Sequence, residues 1–225
     1  MSRPTPSRNH PGFDRVAAVY PRLERLVYGQ GLERGRTAFI DELSARQNIL
    51  LLGEGNGRFL KALLRANTTC AATVVEISPQ MITHARSDLS PEEQQRVTWL
   101  QTSALDAELP AGSFDAVVTH YLFDLFESPD QARLLATGLG ALAPGGLWQD
   151  TEFLADGPTH FTRLRNRSLL FLSYRFLGAL CDFPARRLSD HRPLMLEAGL
   201  MLQAEQTFGH HYAARLWKLP TSTTQ

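Results

Sequence analysis

Ile49-Leu50-Leu51-Leu52-Gly53-Glu54-Gly55-Asn56-Gly57-Arg58-Phe59 reads as an apolar strand that runs through alternate glycines into a helix over 59–66. Glycines in this pattern let the backbone turn sharply, take positive φ and approach a ligand without Cβ interference. Such a ligand sits at the C-terminal edge of a sheet. A dinucleotide fingerprint requires G-x-G-x-x-G, but Arg58 stands where its third glycine belongs, and Gly57 comes one residue early. The pyrophosphate reading is therefore demoted. Taken alone, the loop also reads as a tight turn.

About twenty residues further on, a second strand over 73–77 carries Glu76 at its end. A carboxylate there can accept two hydrogen bonds from a ribose diol, which suits an adenosyl cofactor. A solvated strand end is the competing reading. Ser78-Pro79-Gln80-Met81 opens a helix that carries Met81 and Ile82 toward the adenine. Further candidate strands lie at 97–101, 116–119 and 147–153, and several of the five are continuous apolar runs that suit strands covered by helices on both faces. Ser90-Pro91-Glu92-Glu93 is a capping box with Pro at the first helical position, and Ser128-Pro129-Asp130-Gln131 repeats the device. Strand and helix thus alternate, as in an open, mostly parallel α/β sheet.

The flanks differ. Residues 13–43 have helical periodicity broken by Pro21, Gly29, Gly31 and Gly35; 158–180 is a long helical pattern; 188–198 is a shorter one ending at Gly199. Two strand-like runs, 201–208 and 212–219, are joined by Gly209-His210-His211 and should pair antiparallel. The expected organisation is a disordered tail over 1–12 and one domain over 13–225. Within that domain come a helical lid (13–43), a cofactor-binding core (44–155), a helical substrate cap (156–192), and a helix with a C-terminal hairpin (193–219).

The chain has 225 residues, 43% hydrophobic, with 23 basic side chains against 23 acidic. A single domain of this size buries ~70% of its unfolded surface and needs no staple. Cys70 and Cys181 are too few and too far apart for a disulfide framework or a Cys-rich zinc site. The first thirteen residues lack an apolar signal-peptide core, and no apolar stretch is long enough to span a bilayer. A cytoplasmic protein without stable membrane insertion is expected. Zero net charge removes the basic excess of a nucleic-acid binder. It also conceals a division, because 84–130 is acidic while the N-terminal segment and 158–192 are rich in arginine.

From about residue 13 to residue 153 the chain resembles the class I S-adenosylmethionine-dependent methyltransferases. Gly53-Glu54-Gly55-Asn56-Gly57 is similar to the family's glycine loop, and Glu76-Ile77-Ser78-Pro79-Gln80-Met81 to its acidic ribose motif. Ser113-Phe114-Asp115-Ala116-Val117-Val118 resembles the fourth-strand motif, and Leu142-Ala143-Pro144-Gly145-Gly146 the turn into strand five. The resemblance implies a Rossmann-like, doubly wound seven-stranded sheet ordered 3-2-1-4-5-7-6, with the last strand antiparallel, and S-adenosyl-L-methionine as cofactor. Two positions depart from the pattern. Leu51 stands where the family carries an acid two residues before the first glycine, a loss that Glu54 or Asp106 would have to make good. Ser103, followed by Ala104, stands where an acid usually ends strand three.

The resemblance assigns Tyr20, Gly53, Glu54, Gly55, Gly57, Glu76, Ile77, Met81, Ser103, Ala104 and Thr119 to the cofactor. Beyond strand four, His120 is the candidate catalytic residue: its ordinary pKa lies near neutrality, so it can take a proton or hydrogen-bond the substrate. Lining the pocket is its other reading. Tyr121, Asp124, Glu152 and Tyr174 are candidate acceptor contacts, with Asp124 also readable as a solvent-facing helix start. Asp150 and Glu152 share a strand face, but no histidine spacing supports a metal. The absence of Asn-Pro-Pro-Tyr argues against methylation of adenine N6 or glutamine. The leading reading is methyl transfer to a small, partly apolar molecule, O-methylation favoured; the alternative is a catalytically silent adenosyl-binding or partner protein of the same fold. A nicotinamide-dependent oxidoreductase ranks third, because of Arg58. Oligomeric state is open.

Overall fold

A computed structural model of the protein describes residues 31–154, 190–209 and 211–221. Seven strands form one sheet: β1 Asn48–Leu52, β2 Ala71–Val75, β3 Val97–Leu100, β4 Phe114–His120, β5 Leu142–Phe153, β6 Met201–Phe208 and β7 Tyr212–Lys218. Their order is β3-β2-β1-β4-β5-β7-β6, as the resemblance implies. Pairing is parallel from β3 across to β5, and β7 runs antiparallel to both β5 and β6.

The continuous apolar strands are explained by two cores, one on each face. Ile49 and Leu51 of β1 point into one core with Ala116 and Val118 of β4, whereas Leu50 and Leu52 enter the other with Val117. The first face is covered by α2 (Ile40–Leu43) and α3 (Arg58–Ala66), through Leu43, Phe59, Leu60, Leu63 and Leu64. The second is covered by α6 (Ser128–Ala141) and α7 (Arg192–Glu197), through Leu134, Leu135 and Met195. Each fully buried leucine contributes roughly 1.5–3 kcal/mol, so a strand buried on both faces is anchored along its length.

The remaining helices are α1 (Gly31–Arg36), α4 (Pro79–Ser87) and α5 (Pro91–Gln95). Ser90 and Glu93 form the expected capping box on α5. The second expected box is absent. Glu127 occupies the N-cap of α6 without a side-chain cap, and Gln131 turns inward to donate to the carbonyls of Phe123 and Phe126. Those bonds brace the 3-10 turn Phe123–Leu125 against the first turn of α6.

β2 ends at Val75, two residues earlier than the apolar run suggests, because Glu76 leaves the ladder to bind backbone N–H groups with its carboxylate. β5 begins at Leu142, upstream of the expected start, and a register irregularity against β4 absorbs the Gly145-Gly146 turn. The expected tail, the lid as far as residue 30, the cap from 156 to 189 with all its arginines but Arg192, and the candidates Tyr20 and Tyr174 lie outside the described residues. Among the described residues no helix is long and apolar enough to cross a membrane.

Candidate active site

Where β1 ends, Gly53, Gly55 and Gly57 all take positive φ, at 66°, 70° and 82°. Two carboxylates organise the loop. Glu76 accepts from Gly55 N and Ser78 N, each at 2.9 Å, which ties the loop to the end of β2. Glu54 Oε1 accepts from Leu60 N at 2.9 Å, so its carboxyl lies at the positive N-terminal end of α3. Burial nonetheless pushes the Glu54 pKa up to about 7, with Arg36 opposing the rise and Glu76 adding to it. Leu51 is packed in the core beside Leu60.

β4 and β5 end beside one another, with His120 paired to Thr151. Tyr121 follows with φ 53°, the one non-glycine positive φ among the described residues. For so bulky a residue this costs on the order of 1–3 kcal/mol and persists only where the surroundings dictate it. Tyr121 N donates to Thr151 O at 2.7 Å, and Leu122 N and Phe123 N both donate to Glu152 Oε1, at 2.9 and 2.8 Å. Burial, then the neighbouring Asp124, holds the Glu152 carboxyl well above the usual carboxylate range. Asp124 is itself buried, which corrects the solvent-facing reading: the 3-10 turn carries it inward.

α1 is docked through three of its carbonyls. Tyr121 Oη donates to Leu32 O at 3.3 Å, Thr151 Oγ1 to Gly35 O at 3.1 Å, and Gln149 Nε2 to Arg36 O at 2.6 Å. The two side chains of β5 thereby satisfy carbonyls that the helix's C-terminal end leaves unpaired. This docking sets the Arg36 guanidinium 5.1 Å from the centre of the Tyr121 ring and within electrostatic reach of Glu54 and His120. His120 stands edge-on to Phe59, 4.5 Å between ring centres, with its Nε2 3.1 Å from Gln149 Nε2. Burial first, and Arg36 second, push the His120 pKa down to about 3, with Asp150 opposing.

Most of the candidates therefore meet along one sheet edge: the glycines with Glu54 and Glu76 on one side, His120, Tyr121 and Glu152 on the other. Met81 is buried at the start of α4, where its N–H caps onto Ser78 Oγ. Ser103, beside the buried Ala104, turns its hydroxyl to its own loop and accepts from Leu105 N at 3.2 Å. Thr119 faces the second core, where its hydroxyl takes the Trp148 Nε1–H at 3.0 Å. Sequence reasoning missed Arg36 and Gln149. The polar run Gln149-Asp150-Thr151-Glu152 inside a strand was the available signal for the second; the first becomes visible only when α1 docks. Among the described residues no group of His, Cys, Asp and Glu could hold a metal ion.

A bound adenosyl cofactor fits this loop. Among the described residues a Cβ on Gly55 would meet nothing within 4 Å, so they leave the loop backbone open there beside the Glu76 carboxylate. Sheet order, the glycine loop and the carboxylate at the end of β2 are together those of the class I methyltransferase fold. Residues 49–146, somewhat under half of the chain, match the family model described as a methyltransferase domain. No curated protein sequence matches the chain.

Among solved structures, an O-methyltransferase family protein from Burkholderia thailandensis is similar over 93% of this chain and 60% of its own, with TM-score 0.70 and 16% identity. This chain thus spans less than two thirds of that relative. The N-methyltransferase NodS from Bradyrhizobium japonicum, in complex with S-adenosyl-L-homocysteine, is similar over 94% of this chain and 98% of its own, with TM-score 0.65 and 16% identity. A structure of the Haloferax volcanii Trm112 methyltransferase activator with a putative methyltransferase reaches TM-score 0.72 at 14% identity, covering 97% of this chain and 100% of the other. At such identities the likeness is one of fold.

Proposed function

We propose that the chain transfers the methyl group of S-adenosylmethionine to a small, partly apolar acceptor, with oxygen favoured over nitrogen, carbon or sulfur as the methylated atom. The observation that carries this reading is the convergence of the glycine loop, Glu76, Arg36, His120 and Tyr121 on one edge of the sheet. The cofactor supplies an activated methyl group, so the protein's task is to orient the acceptor and keep water out. Orientation of that kind can lower a barrier by about 7–11 kcal/mol.

In this reading Glu76 holds the ribose diol, and the backbone of Gly53, Gly55 and Gly57 lies against the cofactor. Ile77 and Met81, with Ser103 and Ala104 opposite, border the adenine. Glu54 and Arg36 lie at the far end of the loop, where the cofactor's amino acid group would need an acid and a cation. His120 and Tyr121 face the acceptor, and Glu152 keeps Tyr121 in its strained conformation. A small acceptor is favoured by the crowding of the edge, where Tyr121 packs against Phe153 and Tyr212. No nucleic-acid partner is proposed, given the zero net charge.

The test is calorimetric titration with S-adenosylhomocysteine, followed by a panel of phenols, carboxylic acids and amines scored by formation of S-adenosylhomocysteine. Binding with turnover on an oxygen acceptor is expected. A folded protein that does not bind would overturn the reading, and binding with no turnover on any acceptor class would leave the silent cofactor-binding alternative in its place.

A further inference from the structure

The contact between Gln149 and His120 has a polarity that its surroundings dictate. Gln149 Nε2 lies 2.6 Å from Arg36 O and 3.1 Å from His120 Nε2. A carbonyl oxygen only accepts, so the Gln149 atom facing Arg36 is its NH2 group; turning the amide over would set two oxygens 2.6 Å apart. That NH2 has two hydrogens and no acceptor capacity. One hydrogen goes to Arg36 O, the other to His120, and His120 Nε2 therefore accepts. A neutral imidazole that accepts at Nε2 carries its proton on Nδ1.

The lock is held from several sides. Gln149 is fully buried, and its Oε1 has no partner among the described residues, a cost of about 1–3 kcal/mol that the arrangement tolerates. Phe59 fixes the ring plane by its edge-on contact at 81°. Nδ1 has no hydrogen-bond partner among the described residues, and the ring retains part of its surface accessible.

Building on the methyl-transfer reading above, we propose that Gln149 is a positioning residue that fixes His120 as its Nδ1–H tautomer, so that His120 donates a hydrogen bond to the acceptor instead of removing a proton from it. The acceptor class follows. It presents an oxygen lone pair, as a carbonyl or an oxyanion, beside the positive charge of Arg36, and it brings its own nucleophilic electron pair. The charged groups that act on the ring are Arg36 from α1 and Asp150 from β5. Burial and Arg36 together keep the ring neutral far below physiological pH.

Side-chain nitrogen-15 spectra of the full-length protein test this without turnover, with His120 assigned from the signals lost in His120→Asn. A protonated Nδ1, an unprotonated Nε2 and no titration between about pH 5.5 and about pH 8 are expected. Gln149→Leu should release the ring into mixed tautomers. Gln149→Glu should move the proton to Nε2, since the carboxyl oxygen facing Arg36 O commits its own hydrogen to that carbonyl and can only accept from His120. A wild-type ring protonated on Nε2, or titrating near neutrality, overturns the proposal. If Gln149→Leu fails to fold, the wild-type and Gln149→Glu spectra still decide.

With an oxygen acceptor from the panel, Gln149→Glu should raise the acceptor KM at least tenfold and change the S-adenosylhomocysteine Kd less than twofold; an unchanged KM counts against the donor role. Loss of cofactor binding in the wild type would defeat the methyl-transfer reading, while the tautomer stands or falls on its own spectrum.

Discussion

His191 Nε2 lies 3.0 Å from Asp150 Oδ1, with 2% of the histidine side chain and none of the aspartate side chain exposed. Arg215 Nη1 reaches the same oxygen at 3.2 Å, Trp217 Nε1 donates to Oδ2, and Arg215 Nε binds Glu205 Oε2 at 2.6 Å. His191 also stacks on Phe123, 4.5 Å between ring centres. One buried carboxylate on β5 thus fastens β7 and the start of α7 to the centre of the sheet.

Removing that carboxylate leaves His191 Nε2 and Arg215 Nη1 buried without the oxygen they share. Asp150→Ala should therefore lose about 3–5 kcal/mol in urea unfolding. Burial works to raise the Asp150 pKa, but His191, Arg215 and Trp217 together hold it below the ordinary carboxylate value. A depressed folded-state pKa gives stability that is present above the unfolded pKa and is lost as pH falls through the folded one. The wild type should accordingly lose stability below about pH 4, and Asp150→Asn, less stable at neutrality, should show a shallower acid limb.

Glu54 titrates in the opposite sense. Its folded-state pKa is raised to about 7, so its contribution is fully present below the unfolded value of 4.5 and is lost as pH rises through about 7. Glu54→Gln should remove this dependence and stabilise the cofactor-free protein at pH 8 relative to the wild type by on the order of 2–3 kcal/mol. Thermal melts at pH 5, 6.5 and 8 check it. Equal shifts of both proteins across that range would contradict it.

What was legible in the sequence is what local chemistry controls. The apolar run before Gly53 named β1, and the glycine spacing with Glu76 located the loop, because both are short-range consequences of residue type. The failures arise where distant segments decide. Gln131 reads as a capping residue, yet the buried carbonyls of Phe123 and Phe126 claim its amide. Thr119 is a cofactor candidate by resemblance, and its bond to Trp148 Nε1 is one that no local pattern announces. Arg36 joins the site through the docking of α1 on Tyr121, Gln149 and Thr151, contacts that span about a hundred residues of sequence. No local pattern reports them.

Glu76 should govern cofactor affinity more than its small area suggests. Its two oxygens each take a backbone N–H, and both bonds are charge-assisted. Glu76→Gln sets an amide NH2 against one of those donors, which loosens the Gly55 turn as well as removing the charge that would meet the ribose. Calorimetry with S-adenosylhomocysteine should show at least a tenfold weaker Kd, about 1.4 kcal/mol or more. A Kd within twofold of the wild type would place the ribose elsewhere.

Gly57 is where the loop meets α4, and two separate effects forbid a side chain there. Its φ of 82° costs an L-residue about 1–2 kcal/mol. A Cβ would also lie 2.5 Å from Ala85 Cβ and 2.8 Å from Ala85 Cα, a clash with backbone that no rotamer relieves. Gly112 provides the matched control, since it has φ 58° with no described residue within 4 Å of its Cβ position. Gly112→Ala should lose about 1 kcal/mol from backbone strain alone, and Gly57→Ala about 3 kcal/mol, because overpacking adds to the strain. Urea unfolding of the two variants isolates the difference. Equal losses would mean that α4 yields freely and that the close approach is not what fixes the loop against it.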